Sequence, residues 1–138
     1  VTFSDTLTLS TKGMTDIVDI TPRVSSVLER SGIRDGLLTV FCRGSTGAVT
    51  TIEYESGVVN DLKKAIERVA PSNITYEHDK RWGDGNGFSH VRAALMKPSI
   101  TVPVMGGRLE LGTWQQLVFI DFDNRPRNRE IIVQITGE

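Results

Sequence analysis

ITVPVMGGRLEL, residues 100–111, sets two adjacent glycines between two short runs rich in apolar residues. Glycine takes up the positive φ angles that a two-residue hairpin turn demands, so Gly106-Gly107 marks a hairpin tip. Downstream, Gln116 to Phe122 and Glu130 to Ile135 read as two further strands, with the polar turn Asn124–Arg129 between them. Consecutive strands joined by short turns pair antiparallel, which favours an α+β fold over a doubly wound parallel sheet.

Upstream, residues 2–9 alternate, with Phe3, Leu7 and Leu9 on one strand face. Thr21-Pro22 reads as a helix start, a hydroxyl cap followed by proline, and Gly32 ends that helix. Leu37 to Phe41 is a buried strand, Gly44-Ser-Thr-Gly47 breaks the pattern, and Val49 to Tyr54 resumes it. Val58, Leu62, Ala65, Ile66 and Val69 recur at helical spacing until Pro71. Ile74 to Glu77 reads as a short strand, 79–88 as a glycine-rich loop, and Ser89 as the cap of a helix running to Met96. About seven strands and three helices result, with no repeat or linker. At 138 residues the chain makes one domain spanning 1–138.

Sixteen basic residues face 17 acidic ones, which argues against bulk capture of nucleic acid or an acidic membrane surface. Cys42 stands alone, and a reducing compartment is the simple expectation. No apolar run reaches the roughly 18 residues of a membrane span, and the first residues lack a signal-peptide layout. A cytoplasmic protein is expected.

His78 and His90 are the only histidines. As a strand residue His78 would share a face with Tyr76. The two imidazoles could converge as metal ligands or as an acid–base pair. Spacing alone equally fits two unrelated surface or capping histidines, since no His-Glu-x-x-His pattern is present. Gly44-Ser45-Thr46 offers hydroxyls and open N–H groups to a phosphate, or is simply a tight turn. Glu53, on a β-branched strand, is a base, a ligand or part of a solvated face. Gln115 is an amide in need of partners. Trp82 and Trp114 are read as core residues, as is Cys42.

Taken together, Gly44-Ser-Thr-Gly-Ala48, Glu53, Asp61-Leu62, Tyr76-x-His78, Ser89-His90-x-Arg92-Ala93 and Gly112-Thr-Trp-Gln115 resemble, in order and spacing, the YjbQ-like family, also labelled secondary thiamine-phosphate synthase. The likeness covers roughly residues 5–136. It implies an α+β fold, a homotrimer with its site near subunit boundaries, and a secondary activity. That activity joins a pyrimidine diphosphate to a thiazole phosphate with loss of pyrophosphate. By position, Glu53, His78, His90, Thr113 and Gln115 carry over as site candidates. Many members have a histidine where this chain has Gly44, so Gly44-Ser45-Thr46 would instead favour anion binding through backbone and hydroxyl groups.

The expectation is a phosphate-handling transferase. Arg43, Arg81 and Arg92 would meet phosphate oxygens. A divalent ion, zinc or magnesium, is expected at His78 and His90, and no organic cofactor. The rivals are a binding module for a small phosphorylated ligand and a purely structural trimer. Turnover of the two precursors separates them.

Overall fold

The computed structural model describes residues 1–138. The elements run β1 (Thr2–Thr11), β2 (Asp16–Asp19), α1 (Thr21–Ser31), β3 (Gly36–Cys42), β4 (Gly47–Ile52), α2 (Ser56–Val69), α3 (Glu77–Trp82), α4 (Gly87–Met96), β5 (Ser99–Met105), β6 (Arg108–Leu109), β7 (Gln116–Asp121) and β8 (Arg127–Gly137). Two antiparallel sheets form, a five-stranded one ordered β1-β8-β3-β5-β6 and a three-stranded one ordered β2-β7-β4. The fold is α+β. The Gly106-Gly107 tip is present, with φ of 59° and 78°, and Met105 pairs with Arg108 across it.

β7 explains the layering. Leu117 and Phe119 point into the larger core with Val24, Leu38, Val40, Ile131 and Val133. Val118 and Ile120 point the other way, into a smaller cluster with Ala48, Ile66 and Ala93. A strand buried on both faces sits between two layers, here the five-stranded sheet with α1 on one side and α2 with α4 on the other. Each such fully buried side chain contributes about 1.5–3 kcal/mol. No helix is long and apolar enough to cross a membrane.

The structure corrects several local expectations. Residues 74–77 are not a strand. Glu77 opens α3, with Tyr76 as its N-cap, so His78 does not share a strand face with Tyr76. The reason is Asp79, whose carboxylate accepts the Tyr76 N–H at 3.0 Å and closes the first helical turn. α4 begins at Gly87 rather than at Ser89. A Cβ on Gly87 would lie 2.5 Å from the Tyr76 Cβ, so only glycine allows α4 this close to α3. Ser89 lies fully buried and donates to the Phe122 carbonyl instead of capping. Thr21 does not cap α1 either; its hydroxyl accepts the Leu117 N–H at 2.8 Å and ties the helix to β7. β2 has no counterpart in the sequence reading, because four residues are too short to carry an alternation. Trp82 and Trp114 are exposed rather than core, at 70% and 73%.

Candidate functional site

α3 and α4 meet at an angle set by Asp79. Its second oxygen accepts the Gly87 N–H at 2.9 Å, so one carboxylate caps α3 and pins the start of α4. These two backbone hydrogen bonds, from Tyr76 and then Gly87, hold the Asp79 carboxyl below its ordinary value. His78 on α3 and His90 on α4 are thereby brought together, with ring centroids 4.4 Å apart and planes tilted by 38°. His90 looks into a cavity of about 190 Å³ lined by Gly44, Ser45, Gly47, Ala93, Ala94 and Pro98. His78 borders a broader depression of about 630 Å³ with Glu77, Lys80, Arg81 and Trp82. Each member of the pair therefore borders its own depression, His90 an uncharged one and His78 one with two basic residues and one acidic.

The Nδ1 atom of His78 is buried and has no hydrogen-bond partner. It faces the Asp84 carboxylate at 3.4 Å, too long for the charge-assisted contact of about 2.7–2.9 Å that a protonated imidazole would make. His78, Asp79 and Asp84 present ligand atoms within 4.8 Å of one another. A nitrogen with two carboxylates is a donor set suited to a divalent transition ion, so the residues present fit one. Asn86, next along the loop, donates to Asp123 at 3.3 Å while its own carbonyl oxygen is buried without a partner. Asn124 donates to the Asp84 carbonyl at 2.9 Å, which ties this loop to the end of β7.

Beneath the loop lies a buried ionic network. Arg129 donates to both oxygens of Asp121, at 2.8 and 2.7 Å, and to the Thr46 hydroxyl at 2.7 Å. Thr46 donates to Asp123, which also pairs with Arg127. Thr11 adds a hydroxyl to Asp121 at 2.6 Å. Burial pushes the Asp121 carboxyl up, but bonds from Arg129, Thr11 and the Asp123 N–H outweigh it and hold the group below its usual range. Asp123 is held down in the same way, its burial opposed by bonds from Asn124, Asn86 and Arg127. Asp121, Asp123, Arg127 and Arg129 were not singled out from the sequence. The signal was there, in the spacing Asp-x-Asp then Arg-x-Arg across a turn, since period two puts the members of each pair on one side of the chain.

The predicted anion ligands divide. Gly44 and Ser45 line the His90 cavity, and Gly44 has φ 106°, a conformation that disfavours a side chain there. Thr46 is buried in the ionic network. Arg92 is a correction. It is 3% exposed, and its donors go to the Ala70 carbonyl, the Thr15 hydroxyl and Glu67, so none faces a ligand. Arg43 is occupied by Glu130 at 3.0 Å on the surface. Arg81 alone of the three borders the histidine depression. Burial pushes the Cys42 thiol up, which suits an inert core residue.

Glu53, Thr113 and Gln115 do not join the histidines. All three are exposed, beyond the far end of β4. Gln115 bonds Thr51 at 3.2 Å and accepts the Gly112 N–H at 3.0 Å. Gly47 beside His90 and Glu53 are six residues apart along an extended chain, roughly 20 Å. Within one chain, the family-matched residues form two clusters.

Residues 5–138 match the family described as UPF0047 protein YjbQ-like. A UPF0047 protein from Methanothermobacter thermautotrophicus is 43% identical over 136 residues, covering 99% of this chain and 93% of that one. The Bacillus subtilis UPF0047 protein YugU is 32% identical, covering 96% of this chain and 98% of its own length. A solved structure from Sulfolobus solfataricus, described as a YbjQ-like protein of unknown function, superposes with a TM-score of 0.95 at 30% identity. It covers 100% of this chain and 99% of that one.

Proposed function

The chain belongs to the YjbQ-like UPF0047 family, and from that membership we propose that it is a phosphate-handling transferase with a secondary thiamine-phosphate synthase activity. The observation that carries this reading is the His78–His90 pair, 4.4 Å apart, between the Gly44-Ser45 loop and the Lys80-Arg81 side of α3. Pyrophosphate leaves as an anion. The C–O bond to pyrophosphate breaks as the lone pair of the thiazole ring nitrogen forms the new C–N bond; no proton is released, and the imidazole pair serves as general acid and hydrogen-bond donor to the departing anion. The Gly44 and Ser45 N–H groups and the Ser45 hydroxyl offer donors to phosphate oxygens, and Lys80 and Arg81 supply positive charge nearby. A divalent ion, when bound, adds Lewis-acid charge to the leaving group.

The same reading takes the protein as a homotrimer. Two clusters about 20 Å apart cannot act on one small molecule within a chain. In a closed ring each copy offers one end to its neighbour, so the Glu53–Gln115 end of one copy completes the histidine end of the next. Glu53 then places a carboxylate beside the positive charge that develops as pyrophosphate leaves, with Gln115 and Thr113 as polar contacts to substrate.

The test supplies the pyrimidine diphosphate and thiazole phosphate to the purified protein and follows thiamine phosphate and released pyrophosphate. The wild type should turn over, and His78→Ala and His90→Ala should each lose about 10²–10⁴-fold. Ligand binding without any turnover would replace this reading with that of a binding module.

A further inference from the structure

We propose that Arg129 is the cation of an anion site at the Gly44–Thr46 loop: its Nη1 atom and the free N–H groups of that loop bind a phosphate or diphosphate group. The inference rests on the phosphate-handling reading of the same loop and adds to it the residue that supplies the charge, where Arg92 had been expected.

Arg129 is 5% exposed, yet one of its nitrogens is uncommitted. Nε and Nη2 donate to the two oxygens of Asp121, and Nη2 donates again to Thr46. Nη1, which carries two N–H groups, makes no hydrogen bond. Buried donors are paired as a rule, so an idle corner on a buried guanidinium calls for an occupant. The corner is not sealed. The side-chain atoms sealed without a partner are His78 Nδ1 and Asn86 Oδ1, so Nη1 keeps access to solvent. It lies 3.4 Å from the point that a Cβ on Gly44 would occupy. A side chain at position 44 would stand against it, and glycine leaves the approach open.

The loop supplies an independent set of donors. β3 ends at Cys42 and β4 begins at Gly47. Between them the N–H groups of Gly44, Ser45 and Thr46 bond to no acceptor in the protein. Thr46, like Arg129, is only 5% exposed. Successive free amides around a bend, here with φ 106° at Gly44, are the backbone arrangement that takes up anions. Gly44 and Ser45 also line the His90 cavity, which places the bound group beside an imidazole.

Net charge does not select this place, since Asp121 and Asp123 balance Arg127 and Arg129. Direction does. Asp121 fills the side-on fork of Nε and Nη2 and leaves Nη1 beside Gly44. The guanidinium is thus held in place before any ligand arrives, and binding costs little reordering.

The experiment titrates the intact, isotope-labelled protein with inorganic phosphate and with pyrophosphate, following backbone amide and arginine side-chain signals by NMR. The Gly44, Ser45 and Thr46 amides and the Arg129 guanidinium should shift together and saturate with one midpoint. Calorimetry on Arg129→Lys, which keeps a charge for Asp121 but loses the planar fork, should show pyrophosphate binding weakened by at least about fivefold. Circular dichroism checks the fold of this variant, and the wild-type spectra carry the test if it does not fold. Loop amides or a guanidinium that stay unshifted, shifts confined to α3 around Lys80 and Arg81, or a smaller loss in folded Arg129→Lys overturns the inference. Loop and guanidinium shifts in a protein that turns over neither thiamine precursor sink the transferase reading and leave this one standing. Turnover with both unshifted does the reverse.

Discussion

At its Gly47 end β4 leaves a loop whose Thr46 hydroxyl donates to Asp123 and accepts from Arg129. At its Ile52 end it runs into Glu53 and Tyr54, both exposed; Gln116 accepts the Tyr54 N–H at 2.8 Å and the Tyr54 hydroxyl donates to the Ile17 carbonyl at 3.0 Å. The first end buries three charged side chains, Asp121, Asp123 and Arg129, with Thr11 and Thr46, an arrangement that gives fixed geometry rather than net stability. It is also the end that carries the paired histidines. The second end is open, with Glu53, Tyr54, Trp114 and Gln115 exposed. Rigid support has been placed under the imidazoles and withheld from Glu53.

The comparison breaks most visibly at Arg129. Arg129→Met strands Asp121 as an unpaired buried charge and should cost about 3–5 kcal/mol in urea unfolding. A cost under about 1 kcal/mol would mean that the network supports nothing. Acidification sharpens the same point. Asp121 and Asp123 have lowered folded-state values, so their contribution is full above the unfolded value of about 4 and is lost as pH falls through the folded one. In Arg129→Met the stranded Asp121 gains by taking up a proton, so the stability gap between wild type and variant should narrow from pH 7 to pH 3. A constant gap would contradict the assigned pairing. Ser89→Ala removes the buried donor to the Phe122 carbonyl and should cost about 1–3 kcal/mol. At the open end Gln116→Ala should cost less than about 1 kcal/mol, and Glu53→Gln should stay within about 0.5 kcal/mol of wild type.

The same contrast governs what the sequence disclosed. The Gly106-Gly107 hairpin, the α1 stop at Gly32 and the strand alternation of β1 and β8 are local signals, and each is legible in a few residues. Pairing of His78 with His90 is also legible in part, because only two histidines exist, yet the reason for it was misread. Residues 74–77 look extended by composition, whereas Asp79 closes a helical turn over them through its side chain. Arg92 looked like a phosphate ligand because exposure cannot be read from residue type; in the fold it is 3% exposed and bonds Glu67, Ala70 and Thr15. The separation of Glu53 from the histidines is invisible in any motif. It follows from the direction of one strand, which carries neighbours in sequence to opposite ends of a sheet.

The shared site across copies is tested most directly by mixing two inactive proteins. Glu53→Gln and His90→Ala chains, each nearly inactive alone, are unfolded together, refolded at equal amounts and assayed for thiamine-phosphate formation. If each site takes its histidines from one copy and its glutamate from the next, about a quarter of the sites in the mixed assembly carry both intact ends, and about a quarter of wild-type turnover should return. A mixture as inactive as its two parents would contradict the account.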